Sequence, residues 1–206
     1  MTLLKDKLAG RRLILASHSP RRRELMAGAG FDFMLADGYE VEETYPATLE
    51  AARVPEYLSR LKSHSYPVPL GEDDVLITAD TVVLCDGRIL GKPAGREEAE
   101  AMLAALSGRC HRVVTGVTLR HARAERSFSV ASDVWFRPLR GEEIAYYVEH
   151  YRPFDKAGAY GIQEWIGYVA IERIEGSFYN VMGLPVQAVY AELERLADAL
   201  WPQQEQ

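Results

Sequence analysis

The sequence of 206 residues lacks the features of several common protein classes. It has no apolar run near the roughly 20 residues that a membrane-spanning helix needs. Its first residues are too few and too charged to form the core of a secretion signal. We therefore expect a cytoplasmic protein that does not contact a membrane. The net charge is −6, which disfavours duplex nucleic acid, itself a polyanion, as a partner.

Cysteine is scarce, and familiar ligand-binding motifs are missing. The two cysteines, Cys85 and Cys110, are expected in a reducing cytoplasm to be small buried side chains rather than a disulfide. Neither they nor the five histidines have the spacing of a metal site. The sequence also has no Gly-x-x-x-x-Gly-Lys-Ser/Thr loop, no Gly-x-Gly-x-x-Gly fingerprint and no Gly-x-Ser-x-Gly turn. These absences exclude the best-known nucleotide loops and the serine hydrolase elbow.

Hydrophobic periodicity and turn residues predict an α/β protein. Predicted strands cover residues 13–16, 75–85, 88–91, 113–119 and 127–136, and predicted helices cover residues 51–66, 96–106, 141–151 and 185–200. A further predicted helix begins at Pro20, repeats apolar residues up to Ala29 and is ended by Gly28 and Gly30. Asp86 followed by Gly87 predicts a hairpin between two of the strands. Because helices and strands alternate while some strand pairs are hairpins, we expect a mixed sheet flanked by helices. No composition shift marks a boundary, so residues 1–206 are predicted to form one domain.

The first strand-to-helix turn carries an unusual concentration of positive charge. Residues 17–23 read Ser-His-Ser-Pro-Arg-Arg-Arg, and Ser19 before Pro20 is typical of a helix start. The three arginines oppose the helix dipole, which favours an anion at this end by about 0.3–1 kcal/mol. Backbone N–H groups, the hydroxyls of Ser17 and Ser19 and the guanidinium groups would suit a phosphate. The alternative is a solvated basic helix start whose arginines pair with surface carboxylates.

Asp80 lies in the middle of the apolar strand predicted at residues 75–85. Burying a carboxylate there is costly unless it is paired or bound to a metal. Asp80 could bind a divalent cation, or accept a proton from a water that attacks phosphorus. An equally weighted alternative is an aspartate at a strand kink that bonds to nearby backbone.

Two lysines and one glutamine complete the candidates that the residues themselves suggest. Lys92 precedes a proline, and Lys156 stands among small residues. Either could neutralise a phosphate as a point charge, although an isolated lysine is more often a surface residue. The amide of Gln163 can both donate to and accept from the edge of a base, but on its own it decides nothing.

In this order, these segments resemble the Maf family of nucleoside-triphosphate pyrophosphatases. The likeness extends from about residue 13 to residue 200. Its matching segments are residues 15–22, 79–83, 91–93, 106–111, 155–163 and 176–185. The resemblance implies an elongated α/β fold similar to inosine triphosphatase, with a nucleotide cleft between two lobes.

The resemblance also implies an enzyme that hydrolyses a nucleoside triphosphate to the monophosphate and pyrophosphate, with Mg²⁺ or Mn²⁺. Residues 159–163, Ala-Tyr-Gly-Ile-Gln, are similar to the branch that acts on dTTP and UTP, and modified pyrimidine nucleotides are further candidate substrates. Asp80 matches the proton acceptor of the family. The other roles carried over are substrate choice for Arg21, Thr81 and Gln163, phosphate binding for Ser17, Arg22, Lys62, Lys92 and Lys156, and metal binding for Asp80 and Glu43.

Two alternatives to this function stay open. A sibling branch that acts on 7-methyl-GTP has Glu where Gln163 stands, and a carboxylate accepts hydrogen bonds but does not donate them. A non-catalytic nucleotide-binding regulator of septum formation would keep the phosphate site without needing Asp80. The segment around Lys62 departs from the family pattern, because Leu61 stands where an acid is usual. The choice of metal and a homodimeric assembly are also left open.

Overall fold

The computed structural model describes residues 3–36 and 38–202. The helices are α1 (Leu4–Lys7), α2 (Pro20–Gly28), α3 (Val54–His64), α4 (Arg96–Leu106), α5 (Gly141–Tyr151), α6 (Trp165–Ala170), α7 (Phe178–Met182) and α8 (Val186–Leu200). The strands are β1 (Arg12–Leu15), β2 (Phe33–Leu35), β3 (Asp74–Cys85), β4 (Arg88–Leu90), β5 (Cys110–Arg120), β6 (Glu125–Phe136) and β7 (Ile171–Glu175). Short 3-10 helices cover Ala51–Arg53 and Ala157–Ala159.

The seven strands form one mixed sheet in the order β2-β1-β3-β5-β6-β7, and β4 pairs with β3 beside this path. β1 is parallel to β2 and β3, whereas the pairs from β3 through β5 and β6 to β7 are antiparallel. The predicted α/β class, with a mixed sheet flanked by helices, is therefore confirmed. Asp86 and Gly87 have φ angles of 49° and 74°, as the predicted two-residue hairpin turn requires. The assignment of residues 1–206 to one domain stays a prediction.

Successive side chains of β3 pack into two separate hydrophobic cores, one on each face of the sheet. Val75, Ile77 and Val83 point into the larger core, which they share with α2, α4, α5 and α8. Val82 points the other way and packs with Val54 and other residues of α3. Because successive strand residues face opposite sides, neighbouring β3 residues contact different helices. None of the described helices is both long enough and apolar enough to cross a membrane.

One local prediction is wrong, and a second is confirmed without the side-chain bond that often accompanies it. Cys85 is buried as expected, but Cys110 is exposed, and both thiols are free. Cys110 begins β5 and alternates with the buried His111, so its side chain points outward. Ser19 does precede Pro20 at the start of α2, but its side chain makes no capping hydrogen bond. Its backbone N–H instead donates to Ser17 Oγ at 3.2 Å.

Gly116 lets α3 approach the sheet directly opposite Asp80. The two residues are partners in the β3–β5 register. A Cβ atom on Gly116 would lie 2.2 Å from the backbone nitrogen of Glu56 and 2.3 Å from the carbonyl carbon of Pro55. These are backbone atoms at the start of α3, so they cannot move aside by a rotamer change. The absence of a side chain at position 116 therefore sets the distance between α3 and the strand that carries Asp80.

We expect Gly116→Ala to lower the free energy of unfolding by about 3 kcal/mol or more, because overpacking against backbone costs 1–3 kcal/mol and occasionally exceeds that range. Equilibrium unfolding in urea measures the change. Gly141→Ala is the matched control, since a Cβ at Gly141 meets no atom within 4 Å. Equal unfolding midpoints for the two variants would contradict the close approach of α3.

Candidate active site

A cleft of about 770 Å³ lies at the carboxyl ends of β1 and β2, beside the middle of β3. The pairing of β1 with β3 ends at Leu15 and Ile77, and the pairing of β4 with β3 begins at Val83. Between these points, no strand of the described chain covers this edge of β3. The cleft opens at the gap and reaches both faces of the sheet. Carboxyl ends of strands next to a change in strand direction are frequent ligand sites in α/β proteins.

All of the site residues predicted from the sequence line this one cleft. They are Ser17, Arg21, Arg22, Glu43, Lys62, Asp80, Thr81, Lys92, Lys156 and Gln163. They come from the turn between β1 and α2, α2 itself, the segment before α3, α3, β3, the end of the β3–β4 hairpin and the glycine-rich segment before α6. Their convergence is a property of the fold, and their individual roles stay predictions.

Arg22 covers the open edge of β3. Its Nη1 donates to the carbonyl of Ala79 at 2.8 Å and its Nη2 to Thr81 Oγ1 at 3.1 Å. Its Nε donates to the carbonyl of Gly183, just after α7, at 2.7 Å. Burial lowers the pKa of this guanidinium, and the nearby Asp80 carboxylate only partly offsets the effect. Most Arg22 donors are therefore engaged by the protein, and the side chain joins α2, β3 and the end of α7.

Arg21 faces the cleft from the same helical turn but has looser contacts. Its Nη1 donates to Asp155 Oδ2 at 3.1 Å, and its Nε donates to the carbonyl of Met182 at 3.3 Å. Asp155 is well exposed, and burial alone would raise its pKa. The Lys156 ammonium and then the Arg21 guanidinium outweigh that effect and lower the pKa. Arg21 is thus the arginine that keeps more of its donors available to a ligand.

Asp80 points to the α3 face of the sheet, where one lysine binds it. Lys62 Nζ lies 2.6 Å from Asp80 Oδ1 and 3.0 Å from Glu43 Oε1. Asp80 is 8% exposed and Glu43 is an exposed residue before α3. The carbonyl of Lys62 also accepts from Tyr39 at 2.7 Å, which fixes the end of α3. Two carboxylates thus converge on a single positive charge at the cleft.

Thr81 is the next residue of β3 and faces the opposite side of the sheet. Its hydroxyl lies 2.9 Å from Thr115 Oγ1 on β5, and Thr115 in turn donates to the carbonyl of Asn180 at 3.2 Å. Asn180 is fully buried in α7, and its Nδ2 bonds to the carbonyl of Val113. This series of bonds connects the cleft edge of β3 to α7 across the sheet.

Lys156 and Gln163 belong to the glycine-rich segment on the far side of the cleft. Lys156 is only 7% exposed, and its Nζ lies 2.7 Å from Asp155 Oδ1 and 3.0 Å from Glu164 Oε1. Gln163 Oε1 is buried and has no hydrogen-bond partner among the described residues. A buried polar atom without a partner is costly, and a ligand in the cleft would remove that cost. Lys92 lies at the cleft and is exposed.

The sequence profile of the family described as Maf-like protein matches residues 12–196. This chain belongs to the Maf-like protein family. Curated relatives include the dTTP/UTP pyrophosphatase of Bacteroides thetaiotaomicron, 54% identical over 89% of this chain and 95% of that protein. The dTTP/UTP pyrophosphatase of Porphyromonas gingivalis is 53% identical over 94% of this chain and 98% of that protein.

Comparison with solved structures finds the dITP/XTP pyrophosphatase of Mycobacterium abscessus, with a TM-score of 0.42 and 16% identity. The match covers 93% of this chain and 100% of that one. A HAM1 protein from Coxiella burnetii has a TM-score of 0.44 and 14% identity, over 90% of this chain and 99% of that one.

Several residues that shape the site were missed by the sequence analysis. Asp155 precedes Lys156 in the chain, and Glu164 follows Gln163. A charged side chain next to a predicted site residue is the signal that could have found them. Tyr147 lies in α5 and Tyr39 in an irregular segment, and neither had a signal, because a tyrosine at these positions is indistinguishable from a packing residue. The carbonyl groups that accept from Arg22 carry no sequence signal either.

Proposed function

We propose that this protein hydrolyses dTTP and UTP to the nucleoside monophosphate and pyrophosphate. The observation that carries the proposal is the composition of one cleft. It combines a buried carboxylate, Asp80, with cations on several sides and an amide, Gln163, whose oxygen lacks a partner. Relatives about half identical over most of the chain are named for this activity, which supports the choice of substrates.

In the proposed reaction, Asp80 orients and deprotonates a water that attacks the α-phosphorus in line. The new bond joins the water oxygen to the α-phosphorus, and the bond from that phosphorus to the oxygen that bridges the α- and β-phosphates breaks. Pyrophosphate leaves with the electron pair, and the water proton passes to Asp80. Lys62 holds Asp80 Oδ1 at 2.6 Å, which leaves Oδ2 for the water. Positioning and electrostatic stabilisation supply most of the acceleration in phosphoryl chemistry.

The cations lining the cleft have distinct proposed roles toward the phosphates. Arg21 and Lys92 retain the most freedom to contact the β- and γ-phosphates, whose charge grows as pyrophosphate leaves. Ser17 adds a hydroxyl at the start of α2, and Lys156 adds an ammonium from the opposite wall. Arg22 contributes its charge while it holds the edge of β3, since most of its donors are engaged.

The residues also fit a divalent cation, Mg²⁺ or Mn²⁺, as cofactor. Asp80 and Glu43 already converge on one positive charge, the Lys62 ammonium. Among the described residues, no group of three His, Cys, Asp or Glu side chains could hold a metal without other ligands. Mg²⁺ in nucleotide enzymes typically takes one or two carboxylates plus phosphate oxygens and waters, so this pair would suffice with substrate present. Such a cation would offset phosphate charge.

The pyrimidine base is proposed to lie against Gln163. Uracil and thymine present an imide N–H between two carbonyl groups. The free Oε1 can accept from that N–H while Nε2 donates to a carbonyl, so one amide complements both groups. Arg21 and Thr81, on the other side of the cleft, are proposed to support this choice of substrate.

The test is pyrophosphate release by the purified protein from dTTP, UTP, dCTP, dGTP, ATP and 7-methyl-GTP. We expect dTTP and UTP to be the best substrates, by about tenfold or more in kcat/KM, and we expect EDTA to abolish the activity and added Mg²⁺ or Mn²⁺ to restore it. Preferential hydrolysis of 7-methyl-GTP would overturn the substrate assignment. Tight dTTP binding without pyrophosphate release would indicate the regulator instead. The cytoplasmic location and a homodimer stay predictions.

A further inference from the structure

The predicted base-reading residue Gln163 sits at the corner of a tight turn that is built around Glu164. The backbone N–H of Glu164 donates to the carbonyl of Gly161 at 3.0 Å. A Cβ atom on Gly161 would lie 2.9 Å from Glu164 Cδ and 3.0 Å from Gln163 Nε2. Both side chains therefore fold over Gly161, and the carboxylate and the amide nitrogen lie close to the same point.

Tyr147, fully buried on α5, fixes both ends of this turn with one hydroxyl group. It donates to Glu164 Oε2 and accepts from the backbone N–H of Gly161 at 3.0 Å. Burial raises the pKa of this phenol, and the hydrogen bond to Glu164 raises it further. The hydroxyl consequently keeps its proton at neutral pH and can donate it to the carboxylate.

The second oxygen of the same carboxylate faces the phosphate side of the cleft. Glu164 Oε1 lies 3.0 Å from Lys156 Nζ. Asp155 Oδ1 is 2.7 Å from the same ammonium, and Asp155 Oδ2 accepts from Arg21. Glu164 therefore joins the turn that carries Gln163 directly to Lys156, and Asp155 connects that lysine to Arg21. Glu164 Cδ and Gln163 Nε2 lie 2.9 and 3.0 Å from the Cβ position of Gly161, and a negative charge on that side of the turn favours the amide orientation with Nε2 toward Glu164 and Oε1 pointing away.

We propose that Glu164, held by Tyr147, is a positioning residue that fixes the orientation of the Gln163 amide and thereby the choice of base, while it competes with phosphate for Lys156. The inference rests on the proposed function, since it concerns how that site distinguishes its substrates. A flipped amide would exchange donor and acceptor and lose complementarity to the imide. Loss of the Glu164 charge should weaken base recognition but not phosphate binding.

The experiment compares Glu164→Gln and Tyr147→Phe with wild type in two measurements. One is KM and kcat for dTTP, and the other is the inhibition constant of inorganic tripolyphosphate, which has no base. For Glu164→Gln we expect the KM for dTTP to rise about tenfold, a typical effect of losing one oriented hydrogen bond, with tripolyphosphate binding unchanged or tighter. Tyr147→Phe, which removes a single oxygen atom, should change both quantities in the same directions but less.

Glu143→Gln is the matched control. Glu143 lies on the same helix as Tyr147, its side chain is 14% exposed against 19% for Glu164, and it pairs with Arg137 outside the cleft. This control should lower the melting temperature without changing the KM for dTTP or the inhibition constant of tripolyphosphate. The proposal would be overturned if Glu164→Gln weakened the binding of dTTP and of tripolyphosphate equally. It would also be overturned if the KM of this variant for dTTP stayed within twofold of wild type. If Glu164→Gln does not fold, Tyr147→Phe decides by the same criteria.

Failure of the underlying function gives a different result. Wild-type protein that released no pyrophosphate from dTTP would refute the proposed activity. Isothermal titration calorimetry of dTTP and of tripolyphosphate with the same variants would then test the role of Glu164. Weaker binding of dTTP, with tripolyphosphate binding unchanged or tighter, would support it.

Discussion

Asp80→Asn is expected to lower kcat/KM for dTTP by at least about a hundredfold, in the range that a general base contributes. Asparagine has nearly the same shape, so the β3 backbone and its pairing should persist. It cannot take the proton of the attacking water, and it removes the charge that Lys62 Nζ meets at 2.6 Å. Steady-state pyrophosphate release measures the loss, and circular dichroism checks the fold.

A matched variant on the same sheet is Asp133→Asn. Asp133 lies on β6, and Arg112 binds both of its carboxylate oxygens, at 2.7 and 2.8 Å. That pair lies outside the cleft, so its loss should affect stability and leave kcat/KM within about twofold of wild type. If Asp80→Asn keeps activity within tenfold of wild type, roughly 1.4 kcal/mol, Asp80 is not the proton acceptor.

Metal titration of Asp80→Asn separates two contributions of this carboxylate. If Asp80 acts mainly by binding the divalent cation, raising the concentration of Mg²⁺ should recover most of the lost activity. If it acts mainly as the base, saturating Mg²⁺ should leave the rate low. Lys62 Nζ lies 3.0 Å from Glu43 and 2.6 Å from Asp80, so a cation bound by both carboxylates would compete with this ammonium.

Most of the elements that the sequence predicted have long, regular patterns, whereas the short β4 was recognised from the Asp86–Gly87 turn before it. β3 has a buried side chain at nearly every position and α4 buries Ala99, Met102, Leu103 and Leu106 at helical spacing, so both were recognised. β2 has three residues with partly or fully exposed side chains, and β7 is also largely exposed. Such short strands carry no periodic signal, because their pairing partners are set by tertiary structure.

The candidate site was predictable as a set of residues but not as a set of contacts. Charge and burial patterns, and then the family resemblance, nominated Arg22 and Asp80, and the fold places both at the gap beside β3. Whether Arg22 would meet phosphate or backbone could not follow from the sequence, because its acceptors at Ala79 and Gly183 lie 57 and 161 residues away. Short-range patterns contain no information on such distant partners. The exposed position of Cys110 depended likewise on the register of β5.

Arg22 also shows why a conspicuous charge is an ambiguous signal. The three consecutive arginines suggested a phosphate site because they oppose the helix dipole. In the structure, Arg22 donates to the carbonyl of Ala79 at the uncovered strand edge, and Arg21 pairs with Asp155. A buried carbonyl group without a hydrogen-bond partner destabilises the fold. Part of the arginine cluster therefore serves the architecture of the cleft. The resemblance already implied different roles for Arg21 and Arg22, but their different partners are set by tertiary structure.

Gln163→Glu is expected to lower kcat/KM for dTTP and UTP by about 10–100-fold, the effect of losing a hydrogen bond and leaving its partner unsatisfied. The carboxylate keeps an acceptor for the imide N–H but has no donor for the neighbouring carbonyl. It also adds negative charge next to Glu164, close to where a triphosphate would lie. Turnover of dGTP and ATP should change much less, since these bases do not match the amide in the wild-type protein.

Gln187→Glu provides the control for the added charge, since Gln187 is exposed on α8 and outside the cleft. It should leave every substrate within about twofold of wild type. Losses of equal size on all nucleotides for Gln163→Glu would mean that the new charge acts on the triphosphate and that Gln163 does not read the base. A selective loss would instead tie pyrimidine choice to the buried Oε1 that has no partner among the described residues, because only a base-specific contact distinguishes substrates that share the same phosphates.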